Sequence, residues 1–130
     1  MNHRGTETQR DTLTEKVIGL AIDVHRHLGP GLLESVYQMC LCHELAQAGL
    51  QFKSEIELPV FYKGLKFDQG FRLDILVENS LILELKTVEQ LRPVHEAQLL
   101  TYLRLAQCPV GLLINFNVGL LKNGIKRLVL

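Results

Sequence analysis

Residues 71–86, FRLDILVENSLILELK, constrain the fold more than any other stretch of the chain. The odd positions Phe71, Leu73, Ile75, Val77, Leu81, Leu83 and Leu85 are all apolar, whereas the even positions carry Arg72, Asp74, Leu76, Ile82, Glu84 and Lys86. Two such period-2 runs on either side of Glu78-Asn79-Ser80 read as a β-hairpin with one buried face and a second face of another kind. Directly opposed residues of an antiparallel pair share a face, so the apolar odd positions must oppose odd positions. Pairing Val77 with Leu81 meets that condition and leaves a three-residue loop in which Asn79 can take a left-handed conformation. The same register sets Asp74 opposite Glu84 and Arg72 opposite Lys86. A two-residue turn would slip the register and send one strand's leucines into solvent.

Burial pattern alone thus gathers two carboxylates and an ammonium on one face, and two accounts of that face stay open. Opposed carboxylates repel unless a cation lies between them or a proton is taken up. Hard oxygen ligands of this kind suit Mg²⁺, with Mn²⁺ as an alternative. Such an ion lowers the pKa of a bound water and polarises a phosphoryl oxygen, and a lysine beside it can stabilise developing charge. The other account is a solvated face of cross-strand ion pairs among Arg72, Asp74, Glu84 and Lys86, each pair worth less than about 1 kcal/mol.

The rest of the chain supplies a sheet and helices around this hairpin. Residues 1–11 are polar and read as a flexible tail, leaving 12–130 as a single domain. Thr12 and Glu15 fit a capping box for a first helix that ends at Gly29-Pro30-Gly31. His25 and His27 fall near its C-terminus, where the helix dipole favours a structural histidine over a ligand. A second helix is predicted over 32–48, closed by Gly49, with Glu34 in its first turn; there a carboxylate serves the helix dipole whatever else it does. Residues 51–65 read as extended, with Pro59 at an edge or bend. Lys63-Gly64 and Asp68-Gln69-Gly70 carry turn chemistry. Pro93 starts a third helix over 94–106, on which His95, Gln98 and Tyr102 share a stripe. Residues 110–116 form a strand apolar on both faces, 117–124 a loop and 125–130 a last strand. The order α-α-β-β-β-α-β-β predicts an α/β domain: a central mixed β-sheet flanked by helices, with an additional helix at the N-terminus.

Composition narrows the class further. With 47% hydrophobic and 22% charged residues, and no apolar run near the roughly 18 residues of a membrane span, the chain reads as soluble. No secretory signal is visible, no membrane partner is expected, and Cys40, Cys42 and Cys108 read as reduced thiols in a cytoplasmic protein. Fourteen basic and fourteen acidic residues leave no net charge, which counts modestly against tight nonspecific DNA binding.

Asp74 followed ten residues later by Glu84-Leu85-Lys86 resembles the core motif of the PD-(D/E)XK nuclease superfamily. Gly31-Leu32-Leu33-Glu34-Ser35-Val36-Tyr37 resembles the signature of the small GxxExxY family within it. Gln98-Leu99-Leu100-Thr101-Tyr102 is similar to the Q-x-x-x-Y motif of the superfamily's exonuclease branch. Leu73 stands where the superfamily's name has proline, a position that varies among its members.

The resemblance implies a restriction-endonuclease-like core and a Mg²⁺-dependent nuclease acting on nucleic acid, DNA before RNA. It implies that Asp74, Glu84 and the backbone carbonyl of Leu85 hold the metal, that Glu34 reaches it through water, and that Lys86 positions the attacking water. Gln98 and Tyr102 would brace the site or touch the substrate backbone. His95 and Arg72 are candidates at its margin, His95 being equally well explained as a hydrogen-bonded structural histidine. The alternative is a catalytically silent nucleic-acid-binding or protein-interaction module that has kept the fold. A small domain cutting both strands of a duplex would need a second copy, and hence a homodimer.

Overall fold

The computed structural model describes residues 7–130. Its elements are α1 (Glu7–Leu28), α2 (Glu34–Gln47), β1 (Phe52–Tyr62), β2 (Leu65–Val77), β3 (Leu81–Lys86), α3 (Pro93–Ala106), β4 (Val110–Asn115), a 3-10 turn (Leu121–Gly124) and β5 (Ile125–Val129). Five strands make one sheet in the order β1-β2-β3-β4-β5. β3 and β4 are parallel and every other pair is antiparallel. Parallel neighbours need a crossover, which α3 supplies. The result is a mixed sheet with helices on both faces and an extra N-terminal helix, the α/β architecture expected.

The central strands explain the apolar run LILELK. β3 lies between β2 and β4 and is covered on both sides, so Leu81, Leu83 and Leu85 pack with Val17, Ala21, Tyr37 and Leu41 of α1 and α2. Ile82 faces the other way, against Leu99, Tyr102 and Leu103 of α3. Each leucine buried in this way contributes about 1.5–3 kcal/mol. Gly111 of β4 lets α3 lie close, since a Cβ there would stand 2.9 Å from Leu99 Cδ1. No helix among the described residues is long and apolar enough to cross a membrane.

The hairpin register is the expected one: Val77 pairs with Leu81, Leu76 with Ile82 and Ile75 with Leu83. Glu78 and Asn79 both take positive φ in the loop. Beyond Ile75 the structure departs from expectation. The β2–β3 ladder stops there, and Arg72 opposes Glu57 of β1 rather than Lys86. Phe71 and Leu73 accordingly join the α3-side core while Ile75 and Val77 remain on the opposite face. A strict odd-even alternation fails at Asp74 because the strand leaves its neighbour there.

Three further expectations are corrected. α1 begins at Glu7, so Thr12 is no N-cap; its hydroxyl and that of Thr14 bond back to the carbonyls of Thr8 and Arg10. Asp11 pairs with Arg127 of β5 at 2.6 Å, which ties this early part of the helix to the sheet. Of the segment read as a tail, residues 7–11 are thus helical and residues 1–6 lie outside the described part. Asp68, Gln69 and Gly70 belong to β2 and not to a turn. The second helix, expected over 32–48, runs from Glu34 to Gln47, so Leu33 is its N-cap and is exposed. The reversal at Lys63-Gly64 forms as expected, both residues having positive φ, and β1 shifts register around Pro59.

Candidate active site

At the point where β2 leaves β3, side chains replace the ladder. The Asp74 backbone N–H donates to Glu84 Oε2 at 2.9 Å, and the Leu85 backbone N–H donates to Asp74 Oδ2 at 2.8 Å. Each carboxylate therefore satisfies a backbone amide of the opposite strand, which holds both in place and opens a seam in the sheet. One oxygen of each is engaged in this clasp, leaving Asp74 Oδ1 and Glu84 Oε1 for another ligand.

Electrostatics here are adverse without a cation. Glu84 is 4% exposed, and burial, followed by the repulsion of Asp74, pushes its carboxyl up to about 8 from 4.5. The Asp74 N–H and the Lys86 ammonium offset this only in part. Burial also raises Asp74, against the opposing effects of the Leu85 amide and Lys86. Glu34 adds to the repulsion on both groups.

The two flanking helices deliver the remaining polar groups. Glu34 stands at the start of α2, where its Oε2 accepts the Thr87 backbone N–H at 3.3 Å, just past the end of β3. The loop before it is shaped by Gly31 at φ 94° and is fastened by the Tyr37 hydroxyl, which donates to the Gly29 carbonyl and accepts from the Leu32 N–H. Tyr37 itself is buried and stacked on Phe116, with ring centroids 4.4 Å apart. The spacing of Gly31, Glu34 and Tyr37 thus builds one device that presents a carboxylate to the end of β3.

From the other face, α3 brings Gln98, whose Oε1 lies 3.4 Å from Lys86 Nζ. Tyr102 is buried one turn further on, edge-on to Phe71. Burial and then the nearby Glu84 raise its phenol, and the Arg72 backbone and Gln98 side chain act on its hydroxyl in the other direction.

Two candidates stand at the margin. His95 Nδ1 accepts the Arg92 backbone N–H at 2.9 Å, closing the first turn of α3, which is the structural role for that residue. Arg72 is ion-paired with Glu55, and Glu55 also accepts from Gln38 of α2 at 3.2 Å. Arg72 lowers the Asp74 pKa only as the smallest of several influences.

One contributor escaped sequence reasoning. Asn115 ends β4 directly beside Lys86. Its Oδ1 accepts the Val88 and Asn117 backbone N–H groups at 3.1 and 3.2 Å, and its Nδ2 donates to the Val88 carbonyl at 2.9 Å. It fixes the chain as it leaves the site. An asparagine closing an otherwise apolar run, at the end of the strand parallel to the one bearing Lys86, was the available signal.

A two-carboxylate clasp whose members are both pushed toward protonation is a donor set suited to a hard divalent cation. Among the described residues, no three Asp, Glu, His or Cys side chains converge closely enough to hold a metal by themselves. A cation at this site would therefore need backbone, water or substrate oxygens as well. That is the habit of Mg²⁺, which keeps several waters and takes one or two carboxylates.

A sequence model of the PD-(D/E)XK nuclease superfamily matches residues 11–128, nearly the whole chain. No curated protein and no solved structure matches it.

Proposed function

Since the chain belongs to the PD-(D/E)XK nuclease superfamily, we propose that it is a divalent-metal-dependent nuclease whose centre is built on Asp74, Glu84 and Lys86. The observation that carries this is the reciprocal clasp, in which Asp74 and Glu84 each cap an amide of the other strand while facing one another in a buried seam. A solvated ion-pair face would leave its carboxylates unshifted; here Glu84 is buried, Asp74 is half-buried, and burial pushes both toward protonation.

Asp74, Glu84 and the Leu85 carbonyl would hold Mg²⁺, or Mn²⁺ in its place, with Glu34 reaching it through water. When bound, the ion supplies charge neutralisation and Lewis acidity toward a phosphodiester oxygen and a water. Lys86, steadied by Gln98, orients the attacking water and offers positive charge to the phosphate as charge builds on it. Gln98 and Tyr102 brace Lys86 and the seam from α3. The device formed by Gly31, Glu34 and Tyr37 supports placing the chain in the GxxExxY branch. DNA is the preferred substrate over RNA, the working compartment the cytoplasm, and a second copy would serve the other strand of a duplex.

The test is a cleavage panel of single-stranded DNA, duplex DNA, RNA and a small phosphodiester, with and without Mg²⁺. Cleavage of a nucleic acid that needs Mg²⁺ and vanishes in Asp74→Ala and Lys86→Ala is the expected result. Cleavage at wild-type rate in both folded variants overturns the assignment. A silent nucleic-acid-binding or protein-interaction module is the second reading, favoured by the balance of 14 basic against 14 acidic residues. Calorimetry separates the two: no Mg²⁺ or Mn²⁺ binding dependent on Asp74 and Glu84 would select the silent module.

A further inference from the structure

Beyond the seam, β1 and β2 continue as a two-stranded arm without a third strand. β1 pairs with β2 out to Tyr62 and Leu65, whereas β3 accompanies β2 only as far as Ile75. The base of the arm is anchored, since Ile56, Leu58 and Phe71 pack against the α3-side core. Past the register shift between Leu58 and Val60 the character changes, and every residue from 61 to 70 is exposed.

The composition of that tip is unusual for a solvated hairpin. Phe61, Tyr62 and Phe67 are 68%, 57% and 49% exposed. Two lysines lie among these rings: Phe61 opposes Lys66 on one face of the arm, Tyr62 and Phe67 share the other, and Lys63 sits with Nζ 5.3 Å from the Tyr62 ring centroid. From 58 to 70 the chain carries two lysines and one acidic residue, Asp68, which lies 3.7 Å from Lys66 in an exposed pair that a phosphate can displace. Exposed rings offering their faces, interleaved with ammonium groups, match the two demands of an unpaired nucleic-acid strand: stacking for the bases and positive charge for the phosphates.

The arm is also continuous with the proposed centre. Phe67 and Asp74 lie on one strand, seven residues apart, a span of at most roughly 23 Å at about 3.3 Å per residue. About seven stacked nucleotides cover that distance at ~3.4 Å each. Near the clasp Lys86 is the ammonium that acts on both carboxylates, since Arg72 is already paired with Glu55.

We infer that the β1–β2 arm is a single-strand nucleic-acid contact, on which Tyr62 and Phe67, sharing one face, stack bases while Lys63 in the turn and Lys66, reaching round from the other face, meet phosphates. It rests on the nuclease reading above, and it names the form of substrate that the site takes: a strand that is unpaired where it crosses the arm.

The experiment measures fluorescence anisotropy of a labelled single-stranded oligonucleotide and of the corresponding blunt duplex, in EDTA so that hydrolysis does not intervene. Wild type is compared with Tyr62→Ser/Phe67→Ser and with Lys63→Glu/Lys66→Glu, all at exposed positions that leave the core intact. The expected result is preference of the wild type for the single strand, and at least about a tenfold loss of that affinity in each variant. The lysine variant should also show a shallower dependence on salt.

Unchanged strand affinity in the aromatic variant overturns the inference, as does a wild type that binds no strand. If sedimentation instead shows a wild-type dimer that the arm variants dissociate, with strand affinity unaltered, the arm serves a second copy of the chain and the inference is likewise overturned. Cleavage by the same proteins in Mg²⁺ is scored separately. Arm-dependent binding without cleavage defeats the nuclease reading alone, and Mg²⁺-dependent cleavage with arm-independent binding defeats the arm alone.

Discussion

Replacing Glu84 with glutamine is expected to stabilise the metal-free protein, and to do so most at alkaline pH. The carboxyl is raised to about 8 from 4.5, first by burial and then by Asp74. Over the window between those values the folded state holds a proton that the unfolded state has released. Stability therefore falls as pH rises through the window. Below about pH 4.5 both states are protonated at this group and the penalty is absent; above about pH 8 it is fully developed. At 1.36 kcal/mol per unit of pKa, the loss across the window is on the order of 5 kcal/mol, a large share of a typical domain's stability. Asp74, also raised by burial, acts in the same direction.

Glutamine keeps an oxygen for the Asp74 N–H and carries no charge, so the variant should decline less steeply than the wild type, retaining only the slope that Asp74 contributes. For a domain of this size the gap in Tm should reach roughly 10–20 °C at about pH 8.5. Thermal unfolding in EDTA from about pH 5 to about pH 8.5 reads it directly. Mg²⁺ should then narrow or invert the gap, because it stabilises the wild type and has lost a ligand in the variant. Wild type and variant melting in parallel across the whole range would refute the reasoning, since the raised carboxyl could not then be the source of the slope.

Three other outcomes follow from the same geometry. Lys86→Ala should abolish Mg²⁺-dependent cleavage and leave the fold formed, with a loss of stability that grows as pH rises because Asp74 and Glu84 lose an offsetting charge; parallel activity and melting curves decide it. Asn115→Ala should cost about 2–3 kcal/mol in denaturant unfolding by stranding the Val88 N–H and carbonyl, and should slow cleavage by freeing the chain after Lys86. Gly111→Ala should destabilise by about 1–3 kcal/mol, since its Cβ would press on Leu99 in a packed interface, with cleavage at permissive temperature retained.

Much of the fold was legible because hydrophobic period and parity are local properties. The register of the hairpin followed from its leucines, and the buried strand at 110–116 from its unbroken apolar run. The element order then left few arrangements open. What could not be read was the point at which Asp74 and Glu84 substitute their side chains for strand hydrogen bonds. Parity assumes a continuous ladder, so it puts Phe71 and Leu73 on the wrong face and pairs Arg72 with Lys86 where the structure has Glu57. The start of α1 was misplaced for a similar reason: Thr12 looks like a cap, but its hydroxyl bonds backward inside the helix. In the candidate site, Asp74, Glu84, Lys86, Gln98 and Glu34 do come together. Local pattern identified the first three as neighbours; the last two depended on motifs, because helix docking is not visible in a single sequence. Asn115 is hidden in the sequence by the apolar run that surrounds it.

The clasp has a consequence for how this protein can be watched. Two amides in the middle of the sheet, those of Asp74 and Leu85, have titratable oxygens as acceptors where their neighbours have fixed carbonyls. Their proton resonances and hydrogen-exchange rates should therefore move with carboxylate occupancy, while the flanking pairs at Ile75 and Leu83 stay still. The backbone thus carries its own pair of indicators, readable without substrate, turnover or any attached label, at the one seam where chemistry is proposed to occur.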